Sequence, residues 1–115
     1  MKGKFKVLVL FPDKEPEVRE IRRENELETV QEIVGGYVEA RYWNSGTGRT
    51  VILCDEDGRM KRQPFCMEIG PYEFVGTIIL ASQKGIELAS LTQKQIEEFT
   101  AEWHKQHKKE TKEND

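Results

Sequence analysis

Arg41, Arg49, Arg59 and Arg62 give this sequence a run of guanidinium groups, each able to grip phosphate or carboxylate oxygens through paired N–H donors. Tyr37 and Trp43 fall on one face of an alternating stretch, with Glu39 and Arg41 between them, and Phe65 and Tyr72 follow. Rings of this kind offer π-faces on which a base can stack. Anion-holding cations beside stacking surfaces suit a nucleotide-type ligand. On that reading Arg41, Trp43 and Arg49 are the first contacts, with Arg62 and Phe65 next. The competing reading makes Tyr37 and Trp43 an interface, covering a helix or another subunit. An exposed face carrying them would then be buried by oligomerisation.

The remaining constellations read as structure. Ser45-Gly46-Thr47-Gly48-Arg49 is glycine-rich, but a phosphate-cradling loop needs its glycines between a strand and a helix N-terminus. Here the loop lies between two strands and lacks the Gly-Lys-Ser/Thr ending, so it reads as a hairpin connection. Zinc sites take three or four ligands, commonly in closely spaced pairs. Cys54 and Cys66 have no such partners, and His104 and His107 sit one turn apart near the end of the last helix. No metal and no cofactor is expected. A Cys–His nucleophile would need Cys54 or Cys66 to reach the histidine surface. The Asp55-Glu56-Asp57 run reads as a solvated turn. These features point to a binder, not an enzyme.

Eighteen basic residues against 21 acidic ones leave a net charge of −3, which gives no bulk attraction to DNA or RNA. The same balance weakens acidic mimicry of DNA. With 115 residues, 37% of them hydrophobic, the chain can bury one modest core. The opening MKGKFKVLVLF segment has no small-residue cleavage site, and no apolar run approaches a membrane span. A cytoplasmic setting with both thiols free is the expectation.

The elements that position these residues follow from periodicity. Lys4 to Phe11 reads as a central strand, with Phe5, Val7, Val9 and Phe11 on one face and Leu8 and Leu10 on the other. Pro12 to Pro16 is a turn, and Val18 to Arg22 a charged edge strand. Asn25 and Glu28 form a capping-box pattern ahead of Leu27, Val30, Ile33 and Val34 at helical spacing, and Gly35 supplies a left-handed stop. Tyr37 to Trp43 then alternates as a strand, joined through Asn44 to Gly48 to a second strand at Thr50 to Asp55. Met60 to Tyr72 has no clean period and reads as irregular. Phe74 to Ser82 is the most hydrophobic strand, with Gly76 marking a bulge or a close approach. Ile86 to Leu91 is a short strand. Thr92 and Gln95 cap the last helix, whose Ile96, Phe99, Thr100 and Trp103 share a face. The sum is one α+β domain over residues 1–104, an antiparallel-rich sheet of about five strands with two helices. Residues 105–115, all charged or polar, are expected to form a disordered tail.

Five segments in order, KVLVLFPDKEPEVREI, LETVQEIVGGYVEA, VILCDEDGRMKRQPF, FVGTIIL and GIELASLTQKQIEEF, carry a resemblance over most of the chain. The sequence resembles the phage and mobile-element family known as domain of unknown function 3846, and QEIVGGYVE is a specific piece of that resemblance. The resemblance implies a small α+β domain acting in the cytoplasm of a host cell. Family members usually continue the Leu-Pro segment with an Asn-Arg pair, where this chain has Cys66-Met67 after Gln63-Pro64-Phe65. A ligand contact made by that pair would be lost here. By analogy with small phage proteins, the expected function is an anti-defence binder, a homo-oligomer that sequesters a cyclic nucleotide or ADP-ribose-derived signal. The alternative expectation is a module that inhibits a host protein through the Tyr37/Trp43 face.

Overall fold

Strands that are apolar on both sides need cover on both sides, and this requirement sets the architecture. The computed structural model describes residues 3–113, with side chains as far as Lys108; residues 1, 2, 114 and 115 lie outside it. In chain order the elements are β1 (Lys4–Leu10), β2 (Glu17–Arg22), a short 3-10 turn (Arg23–Asn25), α1 (Glu26–Val34), β3 (Val38–Ser45), β4 (Gly48–Asp55), β5 (Phe65–Ile69), β6 (Tyr72–Val75), β7 (Ile78–Lys84), β8 (Glu87–Ala89) and α2 (Gln93–Glu113). The main sheet has six strands in the order β2-β1-β7-β4-β3, with β8 pairing the far end of β7. Every pairing is antiparallel. β5 and β6 form a separate two-stranded hairpin. The chain is therefore a single α+β domain.

On one face Phe5, Val7 and Val9 of β1, Phe11 beyond it, and Val51, Leu53, Ile79 and Ala81 meet Val30 and Val34 of α1. On the other, Leu8, Leu10, Ile52, Ile78 and Leu80 meet Ile96, Phe99 and Trp103 of α2 and Cys66, Met67, Ile69 and Phe74 of the hairpin. Each large apolar side chain buried this way stabilises the fold by about 1.5–3 kcal/mol. α1 ends as its glycine requires: Gly35 is left-handed at φ 85°, and its N–H and that of Gly36 both reach Gln31 O. No helix among the described residues is long and apolar enough to cross a membrane.

Several sequence expectations change. Asn25 makes no side-chain cap; the 3-10 turn brings the chain into α1, and Asn25 instead accepts the Thr29 hydroxyl on its carbonyl oxygen. Leu27, in the first turn, stays exposed. The Met60 to Tyr72 segment is not irregular throughout, because Phe65–Ile69 and Tyr72–Val75 pair across a Gly70-Pro71 turn. Phe74 to Ser82 is two strands. Gly76 breaks it at φ 74°, and a Cβ there would lie 1.8 Å from Gln63 Oε1, so the close neighbour is a side chain.

The expected tail is helical instead, since α2 runs to Glu113. Polar groups hold it beyond Trp103. Gln106 donates to Glu68 O at 2.9 Å and accepts from Glu68 N–H at 2.8 Å. His107 stacks on Trp103 with centroids 4.0 Å apart and donates to Cys66 O at 2.7 Å. Residues 114 and 115 of that expected tail are outside the described residues.

At its start, α2 carries the predicted capping box: Gln95 N–H reaches Thr92 Oγ1 at 3.1 Å, and Thr92 N–H reaches Gln95 Oε1 at 3.0 Å. Gln95 is 1% exposed and does more than cap. Its Oε1 also accepts from Ser82 Oγ at 2.7 Å, and its Nε2 donates to Arg49 O and Thr50 Oγ1, both at 3.2 Å. Removing it orphans several buried polar groups. Gln95→Ala should therefore cost about 3 kcal/mol and Thr92→Ala about 1 kcal/mol in denaturant titrations. Equal losses would show that the network adds nothing beyond the cap.

Candidate functional site

β3 alternates its side chains between the two faces of the sheet, and that alternation separates the arginines the sequence places together. Glu39, Arg41 and Trp43 share the α2 face with Cys54, Ile52 and Thr50, their partners on β4. Tyr42 lies on the α1 face, and Arg49 stacks over its ring there, 4.8 Å from the centroid. Arg41 and Arg49 are thus on opposite sides of the sheet. Arg62 is exposed in the β4–β5 connection, at φ 57°. Phe65 is 39% exposed, its ring 6.2 Å from that of His107 on α2. The five expected contacts do not converge.

Nor do Tyr37 and Trp43 make one aromatic face. Tyr37 precedes β3 and borders a depression with Gln31, Gly36, Asp57 and Lys61. Trp43 is half-buried and packs flat over Gly70 at the hairpin turn, where any Cβ would come within 2.5 Å of the indole. The glycine-rich loop is a two-residue hairpin connection, with Ser45 opposite Gly48. Thr47 Oγ1 and Ser45 Oγ both turn to the Glu98 carboxylate on α2, so the loop already faces an anion.

What the fold does assemble is a cleft of about 340 Å³ between the start of β3, the β4–β5 connection and the hairpin. Glu39, Arg41, Arg59, Met60, Pro71, Tyr72 and Glu73 face it. Arg41 Nη2 is 2.6 Å from Glu39 Oε2. Arg59 Nη2 donates to Glu73 O at 2.6 Å and lies 3.9 Å from the Glu73 carboxylate. The hydrogen-bonded Glu39 carboxylate raises the Arg41 pKa further, so the group is a permanent cation. Arg59 and Tyr72 are the residues the sequence undervalues here. The Gly70-Pro71 dipeptide flanked by Phe65–Ile69 and Tyr72–Val75 was the available signal for the wall that carries Tyr72.

The cleft floor is held by Asp55, whose side chain is only 2% exposed. Lys61 Nζ reaches Asp55 Oδ2 at 2.7 Å and Gly35 O at 3.1 Å, tying the connection to the end of α1. Asp57 N–H donates to Asp55 Oδ1 at 2.9 Å. Gly36 leaves the room this carboxylate needs, since a Cβ there would stand 2.6 Å from Oδ1. Both thiols are buried. Burial, with help from Glu39, pushes Cys54 up to about 11, and burial alone pushes Cys66 up to about 12. His107 reaches the Cys66 carbonyl and not its sulfur, so no Cys–His couple forms there. Among the described residues no group of three or more His, Cys, Asp or Glu side chains is placed to hold a metal ion.

Comparison with known proteins places this arrangement in a family. Residues 4–104 match the one described as Domain of unknown function (DUF3846). The chain belongs to that family. No match is found among the curated proteins or among the solved structures. Cys66 and Met67, which stand where the family's Asn-Arg pair is expected, are both fully buried, and neither borders the cleft.

The Asp55 clamp has a pH signature. Burial pushes its carboxyl up, but the Lys61 ammonium, the Asp57 N–H and Gln63 outweigh it and hold the pKa below the ordinary value. A carboxyl that is more acidic folded than unfolded contributes its stability fully above the unfolded value of about 3.9, and loses it as pH falls through the folded one. Asp55→Asn should lower stability at neutral pH and flatten its decline below about pH 4. Denaturant titrations across that range check this; an unchanged acid slope would remove Asp55 as its source.

Proposed function

We propose that the domain is a non-enzymatic binder whose cleft beside β3 holds a nucleotide-type ligand and so takes it out of circulation. The observation that carries the reading is the meeting of Arg41, Arg59 and the Tyr72 ring around one opening of about 340 Å³. That volume lies at the lower end of small-molecule sites, which run from about 300 to 1,000 Å³. The guanidiniums grip phosphate oxygens and the ring takes the base.

The acidic residues of the cleft narrow the ligand. Arg41 and Arg59 each have a glutamate beside them, but those pairs are well exposed and individually worth little, so a phosphate can compete for the cations. Glu39, Glu56 and Glu73 meanwhile disfavour dense negative charge and accept hydrogen bonds from ribose hydroxyls. A phosphodiester, with one charge per phosphate, fits better than a terminal phosphate. Cyclic nucleotides have that chemistry, and the internal pyrophosphate of cyclised ADP-ribose derivatives likewise carries one charge per phosphate. In the phage or mobile-element setting that the family resemblance implies, holding such a molecule would blunt a host defence that signals with it.

A thermal-shift screen against cyclic dinucleotides, cyclic trinucleotides and cyclic ADP-ribose isomers tests the reading. One class should raise the melting temperature, corresponding to about 2.7 kcal/mol at a roughly hundredfold excess over Kd. Arg59→Ala should abolish the shift while the unliganded protein still melts cooperatively, and Arg49→Ala, on the opposite face, should leave it intact. No shift with any of the three classes would end the proposal.

A further inference from the structure

β3 ends the strand order, with β4 on one side and, among the described residues, no strand paired on the other. The hairpin fixes which of its backbone groups are left over. A two-residue loop closed by the Ser45–Gly48 pair turns the N–H and C=O groups of alternate residues inward, beginning with Ser45. Tyr37 O, which accepts from Glu56 N–H, and Glu39 O, which accepts from the Cys54 thiol, both obey that alternation. Val38, Ala40, Tyr42 and Asn44 therefore present their backbone groups outward. Among the described residues the outward bond recorded for them is one: Arg41 Nη1 donates to Ala40 O at 3.2 Å.

Edges of this length are ordinarily blunted by lysine, proline or unfavourable charge. β2, the opposite edge, follows Pro16, and paired with itself about Arg19 or Glu20 it would bring like charges together. β3 contains neither Lys nor Pro. Its sequence is complementary to itself in one register. An antiparallel pairing about Ala40 sets Ala40 against Ala40, Glu39 against Arg41, Val38 against Tyr42 and Tyr37 against Trp43. Shifted to centre on Glu39 or on Arg41, the same strand would set Glu against Glu or Arg against Arg.

We infer that β3 is the seam of a symmetric homodimer, in which a second copy of this chain adds its own β3 antiparallel about a two-fold axis at Ala40, joining two sheets into one. Glu39 and Arg41, paired within one chain at 2.6 Å, exchange partners across the axis. Leaving Ala40 O frees that oxygen for the Ala40 N–H of the second copy. The small alanine lets the strands approach where the axis passes. Glu39 and Arg41 also face the cleft, so the seam runs along its rim, although the pairing does not depend on what the cleft holds.

Sedimentation velocity over a concentration series, without ligand, tests the seam. The wild-type chain should sediment as a dimer that dissociates on dilution. Ala40→Pro removes an outward N–H that the monomer does not use, so it should give a monomer whose circular dichroism is unchanged. Glu39→Arg should also give a monomer, and adding Arg41→Glu to it should restore the dimer. A wild-type chain monomeric at every concentration, a dimer that survives both single substitutions, or a double variant that stays monomeric would overturn the inference.

Discussion

Burial of both faces of β1 and β7 is the constraint from which the rest follows. Val9 and Ile79 look one way and Leu10 and Leu80 the other, and all four are 0% exposed. α1 sets Val30 and Val34 against one face. α2 shares the other with the β5–β6 hairpin, which contributes Cys66, Met67, Ile69 and Phe74. The cleft arises where that patch stops. Its walls are the rim of the hairpin and the half-buried Glu39 and Arg41 near the start of β3, so it is a by-product of how a two-sided sheet is finished.

Much of this was legible because the strongest signals were local. Two-sided apolar runs, the left-handed Gly35, the Ser45–Gly48 hairpin and the Thr92–Gln95 cap need only neighbouring residues to explain them. The failures involve partners distant in sequence. β5 looked irregular because consecutive Cys66 and Met67 are both buried, an effect of the bulge between Phe65 and Met67 that spoils the period of two. The last turns of α2 looked unanchored because their anchors are polar groups, Gln106 and His107, bonded to the β5 backbone. The arginines looked convergent because sequence proximity ignores which face a strand residue takes.

That last point governs the electrostatics of the site. Every cation brought to the cleft arrives with an acidic companion: Arg41 with Glu39, Arg59 with Glu73, and Lys61 below them with Asp55. The three pairs differ in burial and hence in role. Asp55 and Lys61 meet where the carboxylate is out of water, so their pairing organises the chain. The other two are open to solvent and can be traded for a new partner at little cost.

Trp43 resting on Gly70 gives the molecule a built-in optical gauge. The hairpin shares no backbone ladder with the main sheet, and one indole bridges the two where a glycine leaves room for it. The other tryptophan, Trp103, is sealed in the core with its N–H on Phe11 O at 2.9 Å. Emission from Trp43 will therefore shift when the hairpin lifts or settles, and Trp103, which shares its core with Cys66 and Met67 of that hairpin, will respond as well if the packing beneath it loosens. Motion of the cleft wall can be followed by intrinsic fluorescence, with no label attached.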